Sequence, residues 1–278
     1  MPAVRRSVIA VAPAALLVAI SGWEIATIAR AGRDTGTDAE WRAAAGAVRQ
    51  RYRRGDLIVF APRWTDPIGR MVLGDLIPVE TAARMDAARY GRIWELSVRG
   101  ARAPEGRGAR VAWHAAFGAV TVRLLEREPV EVVTDFVDAF SRAAVAGAYA
   151  TRSRDRDVAP AVDIEEVGFE PHRCVRVVPR PDQTVRVTYS PVALGRSLVG
   201  YVGLADVFTR RDRREPARLQ VEVDGRPVAD VTVGVDDGWV RFEADTEPSP
   251  RATVTFAATA LGGRATDRLV CFAAEARR

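Results

Sequence analysis

The stretch "ARLQVEVDGRPVADVTVGVDDGWVRFEADT", Ala217–Thr246, contains runs in which apolar and polar residues alternate. A period of two places successive side chains on opposite faces of a β-strand. Asp224-Gly225 lies between two such runs, and this dipeptide is typical of the two-residue turn of a β-hairpin. The stretch therefore predicts antiparallel strands joined by a tight turn.

Similar short β-rich runs, separated by turn residues, occupy the second half of the chain from Val162 onwards. About nine strands at this spacing predict an antiparallel β-sandwich, or jelly roll, over residues 162–278. The polar segment Ala150–Ala161 has no apolar periodicity. We therefore place the boundary before this domain within that segment.

The first half has a different pattern, in which helical and strand-like stretches alternate. The predicted elements are a helix capped by Asp38, a strand over 56–62, a helix over 78–91, strands over 92–98 and 119–126, and a helix over 134–147. Their short separations favour a small Rossmann-like α/β domain with parallel strands over residues 38–149. The predicted fold class is thus a two-domain α+β chain.

The N-terminus carries two arginines followed by an uncharged stretch, Ser7–Trp23, which continues past Glu24. A membrane-spanning helix needs about 20 apolar residues. We therefore expect a transmembrane signal anchor over residues 1–31, with the rest of the chain outside the cytoplasm. Two alternatives stay open: a buried helix, and a cleaved leader, because Ala29-Arg30-Ala31 has the small-x-small form of a cleavage site.

The charge composition does not indicate a nucleic-acid partner. The net charge is +5, but 36 acids are interspersed among the 41 basic residues. All the bases are Arg, and Asn is absent, which is typical of a GC-rich bacterial gene. The charge-dense segment Arg210–Glu215 fits either a solvated hairpin tip or contacts to anionic headgroups and phosphate-bearing glycans. No aromatic residues are interleaved with it, as stacking on bases would require.

The two cysteines, Cys174 and Cys271, fall in an early and in the last predicted strand of the sandwich. Such strands can be close in space, and an exported protein would oxidise the pair. We therefore expect a disulfide. The alternative is two buried free thiols, which are common in protein cores.

Two parts of the chain resemble known families. Trp41–Pro62, "WRAAAGAVRQRYRRGDLIVFAP", resembles the soluble segment after the membrane domain of glycosyltransferases of the protein mannosyltransferase type, and the similarity extends over Asp38–Glu126. The stretch Ala217–Thr246 resembles the galactose-binding-like sandwiches of carbohydrate-active proteins. The resemblance implies a glycan-related envelope setting. Those transferases carry their catalytic acid between membrane helices, so it does not imply sugar transfer by this chain alone.

The loop after the first predicted strand is the best candidate ligand site of the α/β domain, because ligands bind at the carboxyl ends of strands in open α/β sheets. Its candidate residues are Arg63, Trp64, Asp66 and, just beyond it, Asp75. Paired acids can bind a metal or serve as acid and base in hydrolysis. The alternative is that both aspartates only make turns and caps. No phosphate-binding glycine motif follows the strand, so we expect no cofactor.

In the sandwich, Trp239 follows Asp236-Asp237-Gly238 at the start of a strand. An exposed indole there could stack on a sugar ring, whereas a buried one would fill the core. His114 and His172 have no second ligand at metal-binding spacing, so we expect no metal site and structural roles for both.

Three functions remain open at this stage. The first is a non-catalytic, membrane-anchored, extracytoplasmic envelope protein that binds a glycan or a partner protein beside a glycosyltransferase or polysaccharide system. The second is a transferase or hydrolase that uses the acids after the first strand. The third is a purely structural interaction module. We favour the first, since catalytic signatures are missing.

Overall fold

The computed structural model describes residues 16–27, 35–153, 156–205, 215–262 and 268–278. The chain divides into two compact units. The first comprises Met1–Ile77 and Tyr90–Glu128, and the second comprises Pro78–Arg89 and Pro129–Arg278. The segment 78–89 therefore belongs to the second unit, although both of its flanks belong to the first.

Residues 16–27 form helix α1, and its large apolar side chains, including Leu17 and Trp23, are exposed. Among the helices of the described residues, none is long and apolar enough to cross a membrane. The other residues of the predicted anchor, with Ala29-Arg30-Ala31, lie outside the described part of the chain, as do 210–214 of the charge-dense segment.

Helix α2 (Asp38–Arg49) begins at a capping box. The Thr37 hydroxyl accepts a hydrogen bond from the Glu40 amide, and the Glu40 carboxylate accepts one from the Thr37 amide. The cap is therefore Thr37, one residue before the predicted Asp38, which is the first residue of the helix. The apolar face packs inward through Trp41 and Val48, both fully buried.

The first unit contains one four-stranded sheet, of order β1-β2-β4-β3. Its strands are β1 (Leu57–Ala61), β2 (Arg92–Ser97), β3 (Arg110–Phe117) and β4 (Val120–Glu126). Only β1 and β2 run parallel, while β4 is antiparallel to both of its neighbours. The expectation of a Rossmann-like domain with parallel strands is therefore wrong. A parallel pair needs a long crossover, whereas Gly118 (φ 60°) turns β3 directly into β4.

Helix α3 (Asp66–Leu73) follows β1. The helices predicted over 78–91 and 134–147 are wrong. Between 78 and 91 only α4 (Val79–Ala82) is helical, because the Asp86 carboxylate accepts a hydrogen bond from the Ala88 amide at 2.9 Å. Between 134 and 147 the Asp135 carboxylate likewise accepts from the Val137 amide at 2.9 Å. Such local bonds from aspartate to the backbone compete with helix formation.

The second unit is a β-sandwich, as predicted. Its strands are β5 (Val132–Asp135), β6 (Ala144–Ala146), β7 (Arg152–Ser153), β8 (Arg156–Asp157), β9 (Ala161–Val167), β10 (Glu170–Val177), β11 (Thr184–Leu194), β12 (Ser197–Leu204), β13 (Ala217–Val223), β14 (Arg226–Val233), β15 (Val240–Asp245), β16 (Ser249–Ala260) and β17 (Val270–Arg277). One sheet has the order β15-β12-β17-β10-β9, with β5 also paired to β17, and the other has the order β14-β13-β16-β11-β6.

The core lies between these two sheets and is formed by alternate residues of each strand. It includes Val175 in β10, Phe256 in β16 and Phe272 in β17, all fully buried. The predicted hairpin joins β13 to β14, and its turn residues Asp224 and Gly225 have φ angles of 49° and 78°. Both values match a turn that keeps the strands in the right-handed twist of a sheet.

The predicted disulfide between Cys174 and Cys271 is confirmed. It joins β10 to β17, which are neighbours in one sheet, with a Cα–Cα distance of 5.5 Å. The bond closes a loop with a sequence separation of 97 residues. In the chain-entropy description, a loop of that length stabilises the folded state by about 4 to 5 kcal/mol.

Candidate functional site

The predicted ligand loop of the first unit is largely helical. Arg63–Thr65 forms a 3-10 turn, α3 follows directly, and Gly74–Leu76 forms a second 3-10 turn. The predicted residues Arg63 and Trp64 are exposed, and the Arg99 guanidinium lies 5.5 Å from the Trp64 ring. Their placement is that of a solvent-facing surface rather than a closed cleft.

The two predicted acids of this region are ion-pair partners. Both Asp75 oxygens accept hydrogen bonds from Arg49, at 2.6 and 2.7 Å, and Arg49 also donates to the Val72 carbonyl. The Arg49 hydrogen bond holds the pKa of Asp75 below its ordinary value. Asp66 accepts from Arg70 at 2.5 Å, one helical turn away. Asp75 thus joins the second 3-10 turn to α2, while Asp66 bridges one turn within α3, and a proton-shuttling role for the two acids gains no support.

Two buried acids of the first unit were not singled out from the sequence. Glu95 accepts hydrogen bonds from Arg123 Nε at 2.6 Å and from the Ala103 amide. Asp56 accepts from Trp94 Nε1 at 2.8 Å and from Arg92. Both carboxylates are satisfied by the groups around the sheet, which fits a structural role. For Glu95, the signal in the sequence was its charge inside the otherwise apolar strand "RIWELSV", Arg92–Val98.

In the second unit, Trp239 is stacked with two other aromatic rings. Its indole lies 4.3 Å from the His172 ring at an interplanar angle of 14°, and 5.8 Å from the Tyr201 ring at 10°. We call these three residues the aromatic stack. His172 in β10 alternates with the core residue Val175, so the stack lies on the sheet face that points away from the sandwich core.

Residues 78–89, which we call the strap, run along this outer face. The Ala83 carbonyl accepts a hydrogen bond from the Arg173 amide at 2.7 Å, and the Met85 carbonyl accepts from Trp239 Nε1 at 3.3 Å. Further along, Asp86 pairs with the buried Arg277 at 2.9 Å. The strap therefore covers part of the surface that the aromatic stack would otherwise offer to a ligand.

Burial of Tyr201 in this stack raises the pKa of its phenol. Trp239 is only partly exposed and contributes to the apolar packing of the second unit. The Nε1 edge of the Trp239 indole donates a hydrogen bond to the strap, and the indole ring is stacked with the rings of His172 and Tyr201. Any sugar contact of Trp239 is therefore confined to the exposed remainder of its ring.

An exposed rim lies beside the stack. The β9–β10 turn is formed by Gly168 and Phe169, with φ angles of 61° and 70°, and Phe169 is 63% exposed. A Cβ atom added to Gly168 would lie 3.3 Å from the Cα atom of Gly238. The turn therefore abuts the loop 234–239, and we call these two segments together the rim.

The rim combines the side-chain types that bind sugars. Phe169 presents an exposed phenyl ring, and Asp236 and Asp237 present exposed carboxylates. Asp237 shapes the loop by accepting a hydrogen bond from the Gly234 amide at 2.7 Å. An aromatic face packs against apolar C–H surface, and carboxylates accept hydrogen bonds from hydroxyls. Phe169 was missed from the sequence, where the only signal was "VGFE", Val167–Glu170, between two β-rich runs.

A metal-dependent site is not evident in the described part of the chain, where no group of three or more His, Cys, Asp or Glu side chains is arranged to hold an ion. His114 is exposed on β3 in the first unit, and His172 belongs to the aromatic stack of the second.

Solved structures similar to this chain include several carbohydrate-binding modules. CBM51 from Clostridium perfringens GH95, in complex with methyl-galactose, is 12% identical, with a TM-score of 0.34, and the match covers 51% of this chain and 98% of that one. CBM51-2 with GlcNAc and INT domains from Clostridium perfringens ZmpB is 12% identical, with a TM-score of 0.37 over 66% of this chain and 40% of that one. CBM35 from Paenibacillus barcinonensis is 11% identical, with a TM-score of 0.29 over 51% and 95%.

At these identities and TM-scores the likeness carries no argument about function. No protein-family model and no curated protein matches the chain. The resemblance of Asp38–Glu126 to mannosyltransferase-type enzymes has no support from any comparison and stays a prediction.

Proposed function

We propose that this chain is a non-catalytic glycan-binding protein of the cell envelope, an accessory of a polysaccharide or glycosyltransferase system. The observation that carries the proposal is the rim, where the turn that bears the exposed Phe169 ring abuts the loop that bears the exposed Asp236 and Asp237. An exposed aromatic ring flanked by acceptors is chemically suited to a hydroxyl-rich ligand with apolar C–H faces.

An extracytoplasmic location is part of the proposal. The disulfide between Cys174 and Cys271 supports it, because such bonds persist in oxidising compartments. We further propose that the apolar N-terminal segment, whose described part is α1, attaches the chain to the membrane. The exposed apolar side chains of that helix, such as Leu17 and Trp23, support this attachment.

Glycan-array screening of the full-length oxidised protein tests the proposal, followed by titration of each glycan that binds. Phe169→Ala should weaken binding about tenfold, the loss expected when an aromatic anchor worth about 1.4 kcal/mol is truncated. Asp236→Asn should weaken binding to a smaller extent. Because Phe169 is exposed, its replacement should leave the thermal unfolding temperature unchanged.

Val111→Ala is the matched control, since Val111 is also an exposed apolar residue but lies on β3 of the first unit. Trp239→Ala is less informative, because Trp239 also packs against His172 and Tyr201. Binding that Phe169→Ala leaves intact would contradict the assignment of the rim. Absence of binding to any glycan would contradict the proposed function and favour a structural interaction module.

A further inference from the structure

Helix α3 of the first unit has two distinct faces. Its inner face, which includes Thr65 just before the helix, presents Thr65, Gly69 and Leu73, all buried, at the spacing of successive helical turns. Gly69 allows the closest approach, since an added Cβ would lie 1.9 Å from Phe60 Cε1. The helix is therefore held against β1 through this face.

The outer face is apolar, which is unusual for a surface helix. Together with the flanking 3-10 turns it presents Trp64, Pro67, Met71 and Gly74, at spacings of three or four residues, and all four are exposed. Met71 is 85% exposed and Trp64 is 47% exposed. A helix packed on a sheet normally turns charged or polar side chains to water. We call these four residues the apolar ridge.

The charged residues around the apolar ridge are mostly basic. Arg63 and Arg99 are exposed beside it, and Arg99 lies over the Trp64 ring. The acids of α3 and the following turn, Asp66 and Asp75, are each paired with an arginine, Arg70 and Arg49 respectively. Four arginines thus surround the ridge against two aspartates, so its edge carries a net positive charge.

The apolar ridge lies at the end of the first unit to which the N-terminal segment leads. Trp41 Nε1 donates to the Thr35 carbonyl at 3.0 Å, and the Trp41 ring lies 6.4 Å from the Phe60 ring, against which α3 packs. Seven positions separate Thr27, the last residue of α1, from Thr35, so eight steps along the chain join the two residues and can span at most about 29 Å. The exposed apolar helix α1 therefore ends within that distance of this end of the unit.

We propose that the apolar ridge inserts into the interface of a lipid bilayer with an anionic surface. Trp64 and Met71 enter the boundary between headgroups and acyl chains, where tryptophan is enriched in membrane proteins. Arg63 and Arg99 contact lipid phosphates, to which a guanidinium binds through two hydrogen bonds. The ridge thereby holds the first unit on the membrane surface at a second point, apart from α1. The inference does not depend on glycan binding, which is assigned to the second unit.

A site-specific fluorescence experiment on the full-length oxidised protein tests the ridge. Both native cysteines are in the disulfide, so Met71→Cys introduces a single thiol that can carry an environment-sensitive fluorophore. Val111→Cys is the matched control, because Val111 is exposed in the same unit. It pairs with Leu125, which in turn pairs with Ile93 at the start of β2, so it lies at the opposite end of the sheet from Ala61 and the ridge.

With vesicles of phosphatidylcholine and phosphatidylglycerol, the label at position 71 should shift to the blue and become several-fold less accessible to an aqueous quencher. The label at position 111 should do neither. The shift at position 71 should weaken with phosphatidylcholine alone, at high salt, and in the charge-reversed variant with Arg63→Glu and Arg99→Glu, since anionic lipid attracts basic residues.

Equal quenching of both labels on vesicles that carry the protein would overturn the proposal, because α1 alone would then account for attachment. Failure of the protein to associate with either kind of vesicle would overturn it as well. Shielding of position 71 that needs no lipid and rises with protein concentration would assign the ridge to contacts between copies of this chain. Loss of the vesicle signal with unchanged glycan binding would leave the function proposed for the rim intact.

Discussion

Replacing Glu275 by Gln tests the ion-pair group that fastens the strap to β17. Glu275 is 2% exposed and accepts hydrogen bonds from Arg277, at 2.8 Å, and from Arg89. Arg277 also donates to Asp86 in the strap, and Arg89, itself a strap residue, also donates to Asp135. Glutamine keeps the shape of the side chain but removes the one negative charge that both arginines share.

The magnitude follows from burial. Removing one partner of a fully buried ion pair costs about 3 to 5 kcal/mol. Arg277 is 6% exposed but retains Asp86, whereas Arg89 is 40% exposed, so water screens part of its loss. We therefore expect Glu275→Gln to lower the free energy of unfolding by about 2 to 3 kcal/mol. Glu243→Gln is the control, because Glu243 is 46% exposed and its partner Arg241 is 47% exposed.

Urea unfolding followed by tryptophan fluorescence measures the difference. With a denaturant slope of about 1 to 3 kcal/mol per molar, the midpoint of Glu275→Gln should fall by about 0.7 to 3 M. Amide hydrogen exchange within 78–89 should also become faster, because the strap loses part of its attachment. The control should change the midpoint only slightly. A Glu275→Gln midpoint no lower than that of Glu243→Gln would refute the reasoning.

Three further predictions concern single side chains. Gly69→Ala should destabilise the folded protein by about 1 to 3 kcal/mol, because the new Cβ would overlap Phe60. Gly46→Ala, whose Cβ would have no atom within 4 Å, should stabilise α2 by about 0.5 to 1 kcal/mol, and thermal unfolding measures both changes. Tyr189→Phe should stabilise by about 1 kcal/mol, because this buried hydroxyl has no hydrogen-bond partner among the described residues; an unchanged or lower unfolding temperature would contradict this. Arg49 lowers the pKa of Asp75, so the Asp75 carboxylate should stabilise the folded protein above its ordinary pKa of 3.8, and this contribution should disappear as the pH falls through the lower folded-state pKa. The difference in unfolding free energy between the parent protein and Asp75→Asn should therefore shrink in acid.

Several local features of the sandwich and of the first sheet could be predicted from the sequence. Asp224-Gly225 specified its turn by itself, because few other dipeptides adopt two positive φ angles without strain. The disulfide was also predictable, since only one pairing of Cys174 and Cys271 exists. Strands β1, β2 and β4 were found because their apolar, β-branched runs are short and bounded by turn residues.

The candidate site was predicted less well, because its residues come from distant parts of the chain. Trp239 was named as a sugar-binding candidate, but only the fold stacks it with His172 and Tyr201 and covers part of it with the strap. Phe169 is one apolar residue among many in the sequence. Its exposure depends on the turn that it forms with Gly168, so no local pattern marks it as a ligand contact.

The sequence by itself determined strands β9 to β17 of the sandwich, where its hairpin turns and which cysteines pair, because these depend on local backbone preferences and on residue counts. Only the tertiary structure decided that the first sheet is mixed, that residues 78–89 join the second unit, and that the apolar side of α3 faces outward. Strand direction, segment placement and helix rotation are set by long-range packing and by ion pairs between distant residues. Apolar residues repeated every 2 or 3.6 positions show that one face of a strand or helix is apolar, but they do not show which part of the molecule covers that face.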